Sequence, residues 1–199
     1  MEKPYTGRAI FNEDFDGAQI TIPVKRNWFV VLFLGAWLGG WFMGEIFALG
    51  ALLGIALTGS ALKAGPASPF IFFWLAAWTV GGFFAFRFFL WNLFGKEIVT
   101  LGQGELKIEK KGVPFSKSKS YDLKEAKNFR VVDEPNNSGF GTFQKRDFSG
   151  LNNGGIIRFD YGMQTVKFGG GIDEAEANFI LSKLSAKKIL TDRNFASKT

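Results

Sequence analysis

Between Trp28 and Phe94 the chain carries three ionisable side chains, Glu45, Lys63 and Arg87, among Phe, Leu, Trp, Ala and Gly. In apolar surroundings a carboxyl can carry a proton, hydrogen-bond a partner chain or sit at a membrane interface, while an arginine can reach headgroups along its own stem. Glu45 and Arg87 are therefore the candidates for chemistry. Other chemistry is excluded by composition: the chain has no His and no Cys. That removes disulfides, thiol nucleophiles, imidazole acid–base work, haem ligation by His and the usual zinc sites. No cluster of Asp and Glu points to a carboxylate-held metal, and Ser149 near Asp147 lacks any base to make a nucleophile of it. The sequence predicts a protein that is not an enzyme and needs no cofactor or metal.

The elements that hold these two charges are apolar runs, 28–57 and 70–94. A bilayer core is crossed by about 20 helical residues, so both runs are long enough. The TGSALKAGPASP segment between them has two prolines, a lysine and small polar residues, which suits an interfacial turn. Residues 28–94 thus read as a transmembrane hairpin. Glu45 and Arg87 stand equally deep in their own runs. In antiparallel helices this leaves them about 10–15 Å apart along the membrane normal, too far for an ion pair.

The runs also resemble each other. Trp37, Leu38, Trp41, Gly44, Phe47 and Ala48 repeat as Trp74, Leu75, Trp78, Gly81, Phe84 and Ala85. An antiparallel pair with this repeat has a pseudo-twofold axis in the membrane plane. Duplication and the ease with which Trp- and Phe-rich helices match both explain it. Gly35 with Gly39, Gly40 with Gly44, and Gly50 with Gly54 have small-xxx-small spacing. With Gly81 and Gly82 they mark the expected packing face, against each other or against a helix of another chain.

Charge sets the orientation. Lys25 and Arg26 precede the first run, and Lys96, Lys107, Lys110 and Lys111 follow the second, while the connecting segment has only Lys63. The positive-inside rule then puts both termini in the cytoplasm. Residues 1–27 contain Glu13, Asp14 and Asp16 and lack an apolar core of their own, so the first run is expected to be an uncleaved anchor. Ile20, Ile22 and Val24 alternate there, and Pro23 predicts a short edge strand lying on the headgroups or joining the later sheet.

After the hairpin, residues 95–199 alternate like strands. Glu97–Leu101, Glu105–Lys111, Val113–Leu123, Phe129–Val132, Gly155–Tyr161 and Gln164–Phe168 predict a sheet curling on itself. The glycines at 169–171 break the last strand, either as a tight turn or as a phosphate cradle before a helix. Asp173 reads as an N-cap with Glu176 as its capping-box partner, and Ala177, Ile180, Leu181 and Leu184 follow at helical spacing. The segment 134–154 is long and rich in Asn, Gly and Ser. Its Phe140, Phe143, Lys145, Arg146 and Phe148 could dip into lipid or grip a partner, or belong to a disordered loop.

A two-helix anchor followed by a strand series and one closing helix resembles the bacterial PH-like domains of membrane proteins. IIRFDYGMQTVKFGGGIDEAEANFI, 156–180, looks like the last hairpin and capping helix of one uncharacterised group of these, and IPVKRNWF and WLGGW look like its membrane entry. The resemblance implies an α+β membrane protein: a hairpin followed by a PH-like β-barrel or sandwich capped by one C-terminal helix. It implies a scaffold for lipid headgroups or for docking proteins, and brings no catalytic residue. Lys107, Lys110, Lys111, Lys117 and Lys119 match the basic stretch with which PH domains grip anionic headgroups, although lysines beside any inner leaflet gain from anionic lipid without a specific site. The closing arginine of that stretch is missing. No nucleic-acid motif accompanies the charge. The functional expectation is an accessory or assembly subunit whose partners are membrane-protein subunits and anionic lipid. A small transporter using Glu45 and a lipid-headgroup sensor are the alternatives.

Overall fold

The computed structural model describes residues 7–14, 17–57, 67–116, 118–132 and 155–195. It divides into two compact units: the helices of 26–93, and a sheet domain in which described residues of 1–25 join those of 94–199. The N-terminal segment is thus part of the C-terminal domain.

The helical unit contains α1 (Trp28–Leu57) and α2 (Ala67–Phe94). Asn27 starts α1: its Oδ1 accepts the Val30 N–H at 3.3 Å and its carbonyl accepts that of Val31. Pro69 falls in the first turn of α2, where its missing N–H costs nothing. Each helix is apolar all round, and only 11% of each span is buried. Phe29, Phe47 and Phe73 are each more than 70% exposed. A core helix of a soluble protein would be largely covered, so length, composition and exposure together describe helices able to cross a membrane.

The domain begins with β1 (Ile10–Asp14) and β2 (Gly17–Pro23), followed after the helices by β3 (Lys96–Gly102), β4 (Glu105–Lys111) and β5 (Ser118–Asp122). These form one antiparallel sheet in the order β1-β2-β3-β4-β5. β2 is therefore an inner strand, which corrects the expected edge. Pro23 is tolerated because β1 pairs only as far as Thr21, so no strand on that side needs the donor proline lacks. On the other side Pro23 opposes Lys96, and Val24 N–H reaches Gly95 O at 3.0 Å. The helices are thus an insertion between two hydrogen-bonded strands.

The second sheet is β6 (Ala126–Val131), β7 (Ile157–Tyr161) and β8 (Gln164–Phe168), with α3 (Glu174–Ala186) following it. Among the described residues no pairing joins the two sheets, so the expected closed barrel is absent. The chain turns sharply at Leu123–Glu125, and β6 is bulged between Lys127 and Arg130 with Asn128 at φ 57°. The expected strand over Val113–Leu123 is only Ser118–Asp122 in its described part, because Gly112 and Phe115 take positive φ around Pro114.

The two sheets and α3 share one core. Ala18, Leu101 and Leu106 form one inward row across three strands, and Ile20, Val99 and Ile108 the next. Phe159 lies fully buried between Phe129, stacked at 4.9 Å, and Tyr121, edge-on at 5.4 Å. Ala177, Ile180, Leu181 and Leu184 close it from α3, as their spacing predicts. Asn194 pins the C-terminal turn, donating to Leu123 O and Ala126 O at 2.7 Å each.

Charged contacts tie the outer elements down. Asp173 caps α3 by accepting the Glu176 N–H at 2.8 Å, while the Glu176 carboxylate accepts the Ala9 N–H at 2.6 Å. Glu13 pairs with Lys183 at 2.9 Å and with Lys187, holding β1 on α3. On the outer face of β7, Asp160 takes both guanidinium nitrogens of Arg130, with Asn128 and Thr165 adding a hydrogen bond each. These bonds, Arg130 first, lower its pKa from 3.8 to about 2. A lowered carboxyl contributes stability above its unfolded value and loses it as pH falls through the folded one. The domain is therefore expected to lose stability between pH 3.8 and about 2, and Asp160→Asn should flatten that part of an acid-unfolding curve.

Candidate functional site in the helical hairpin

The contacts between α1 and α2 run in opposite order along the two chains. Phe89 lies beside Gly35, Trp41 beside Gly82, and Glu45 beside Thr79. This antiparallel seam is set by an aromatic and not by glycine on glycine. A Cβ on Gly82 would fall 2.0 Å from the Trp41 indole, whose N–H reaches Trp78 O at 3.3 Å. Trp41 and Trp78 are equivalent positions of the repeat, so the repeat's partners meet here. Trp78 also stacks on Trp74 at 4.9 Å and faces Trp37 at 6.5 Å.

One turn past Trp41, Glu45 is 8% exposed. Its Oε1 lies 2.5 Å from Thr79 Oγ1, which is itself 2.8 Å from Leu75 O. The threonine has one hydroxyl proton and faces two acceptors. Among the described residues, Glu45 Oε2 and Trp78 Nε1 are buried without a hydrogen-bond partner, and such atoms are costly in an apolar setting.

Beside Thr79 the two helices leave an apolar groove of about 470 Å³. Gly35, Gly39 and Gly82 form part of its lining, with Phe42, Phe86 and Phe89 around them. Of the glycines expected to pack, Gly35 and Gly82 meet the other helix, and Gly39 opens on the groove. Gly40, Gly44 and Gly81 meet nothing within 4 Å, because the bulky Trp41 sets the helix spacing and leaves them outside the seam. Arg87 lies eight residues beyond Thr79 on α2, about 12 Å along the helix.

Of the five lysines expected to act together, the four described ones divide between the two faces of the sheet. Lys107 and Lys111 alternate outward on β4, with Glu109 3.6 Å from Lys111. Lys110 opposes the buried Glu97, and Lys119 opposes Ile108. Lys117 lies outside the described residues, as do Phe140, Phe143, Lys145, Arg146 and Phe148. Exposed Lys25, Arg26 and Lys96 flank the point where the helices leave the sheet, and Lys96 directly opposes Lys111.

The glycine turn before α3 is not a vacant phosphate cradle. Glu97 Oε2 accepts the N–H groups of Gly169 at 2.8 Å and Gly170 at 3.3 Å. Burial, the largest cause, raises its pKa against the opposing pull of the Gly169 N–H, Lys110 and the Gly170 N–H. Sequence reasoning passed over Glu97, although Glu97, Val99 and Leu101 alternate onto the core face.

Searches against protein families, curated proteins and solved structures find no match to the chain.

Proposed function

We propose that this chain is a non-enzymatic subunit of a bacterial inner-membrane complex. Its hairpin crosses the bilayer and receives a transmembrane helix of another subunit. The sheet domain, PH-like in having successive strands, a three-stranded sheet and one closing helix, works on the cytoplasmic side as an interaction module. The lysines at the hairpin's ends support that orientation.

The observation that carries this reading is the groove floored by Gly35, Gly39 and Gly82, next to a buried carboxyl with one oxygen unpartnered among the described residues. Small residues admit a helix backbone closely, and a buried carboxyl in lipid rewards a donor supplied by that helix. Gly39 tests it cleanly. A Cβ there meets nothing within 4 Å, so Gly39→Leu leaves α1 against α2 and fills the groove. Purified in mild detergent, the unaltered chain should run in a complex heavier than its own 22.1 kDa. Gly39→Leu should weaken that complex at least about tenfold, the effect of roughly 1.4 kcal/mol. An unaltered chain that is a stable monomer with no companion protein overturns the reading.

A further inference from the structure

Four strand ends meet where the helices are inserted: β2 finishes there, β3 begins, β4 finishes and β5 begins. The turn 112–116 between β4 and β5 lies at this end, against the close of α2. A Cβ on Gly112 would fall 2.3 Å from Phe94 O, and Gly112 holds φ 99° to permit that approach. The turn then presents Phe115, 80% exposed and at φ 56°. A phenylalanine in the left-handed region is uncommon and carries a backbone cost. Lys111 ends the strand that leads into this turn, and Lys96 begins the strand beside it. Lys96 and Lys111 are directly opposite on neighbouring strands, a like-charge pairing that Glu109, 3.6 Å from Lys111, offsets on one side and a further anion would offset on the other.

We infer that the Phe115 turn is a third membrane contact, with its ring in the interfacial layer and Lys96 and Lys111 on the phosphates of anionic phospholipid. This rests on the reading of α1 and α2 as bilayer-crossing. Continuity with the end of α2 puts the turn at headgroup depth. Its composition, one aromatic and a proline rimmed by lysines, is that of an interfacial anchor. Such a contact fixes the domain's tilt on the membrane and makes its pose depend on anionic lipid.

The chain has no cysteine, so single labels are unique. A polarity-sensitive fluorophore is placed on Ser116→Cys in the full chain, reconstituted in vesicles of phosphatidylcholine mixed with phosphatidylglycerol and nitroxide-bearing lipid. Two reference labels are used. Met43→Cys lies mid-span in α1, and Met163→Cys is on the fully exposed β7–β8 turn. That turn follows Tyr161, which packs on Tyr121 near the other end of the sheet. The expected result is several-fold stronger quenching at 116 than at 163. It should return to the level at 163 when Phe115→Ser is added, and fall with Lys96→Gln and Lys111→Gln or without phosphatidylglycerol. Quenching at 116 no stronger than at 163 overturns the inference. If Met43→Cys is quenched in that case, the hairpin reading survives; if it is not, both fail.

Discussion

Replacing Glu97 with alanine should destabilise the sheet domain by about 2–3 kcal/mol, since buried backbone donors that lose their acceptor cost about 1–3 kcal/mol each. The buried N–H of Gly169 and the half-buried N–H of Gly170 are those donors. Hydrogen exchange followed by mass spectrometry should show the loss first in peptides covering 168–173, and then across β3. Glu97→Gln keeps an acceptor oxygen and should retain most of the protection. The unaltered protein and Glu97→Gln also separate with pH. Burial raises the Glu97 pKa above 4.5. A raised carboxyl contributes its stability in full below the unfolded value and loses it as pH rises through the folded one. Glu97→Gln cannot ionise, so it should gain on the unaltered protein as pH rises from 4.5 upward. If the difference between them is flat with pH, Glu97 is not the buried, amide-held group described.

Glu97 also shows why one part of the fold was legible and another was not. Apolar alternation announces strands, so β4 and β8 fall where periodicity places them, and α3 begins at its Asp173 cap. Alternation does not say which strands pair. The long insertion between β2 and β3 separates neighbours by the whole hairpin, and nothing local to Ile20 or Ile22 shows that their partners are Val99 and Glu97. Once β2 is an inner strand, the row Ile22, Glu97 and Lys110 points inward, and a carboxylate there needs a donor. The glycine turn supplies two. Read alone, that turn looks like a place for someone else's anion.

In the hairpin, the small-xxx-small rule finds glycines but cannot rank them. Gly81 and Gly82 are adjacent and alike in sequence, yet a side chain at one meets nothing within 4 Å and at the other meets the Trp41 ring at 2.0 Å. The deciding residue is an aromatic on the opposite helix, whose rotamer the pattern of small residues does not encode. The same holds for Glu45, whose Thr79 partner becomes visible only when the helix phase is fixed.

That contrast gives the other large effect, with opposite signs at neighbouring positions. Gly81→Ala should be neutral or stabilising, because alanine is favoured over glycine in a helix by about 1 kcal/mol. Gly82→Ala should destabilise the helix pair by about 1–3 kcal/mol, the usual range for overpacking, despite the same propensity gain. The added methyl displaces a rigid indole and breaks its hydrogen bond to Trp78 O. All six tryptophans lie between Trp28 and Trp91, so intrinsic fluorescence in detergent reports the hairpin without the domain. Thermal unfolding followed this way should shift downward for Gly82→Ala and not for Gly81→Ala. Adding Trp41→Ala should relieve the Gly82→Ala penalty, giving a non-additive cycle for residues in contact. Equal shifts at 81 and 82, or strictly additive effects with Trp41→Ala, would mean that the indole does not sit on Gly82. The groove beside Thr79 would then have a different floor, and the proposed helix-docking surface would go with it.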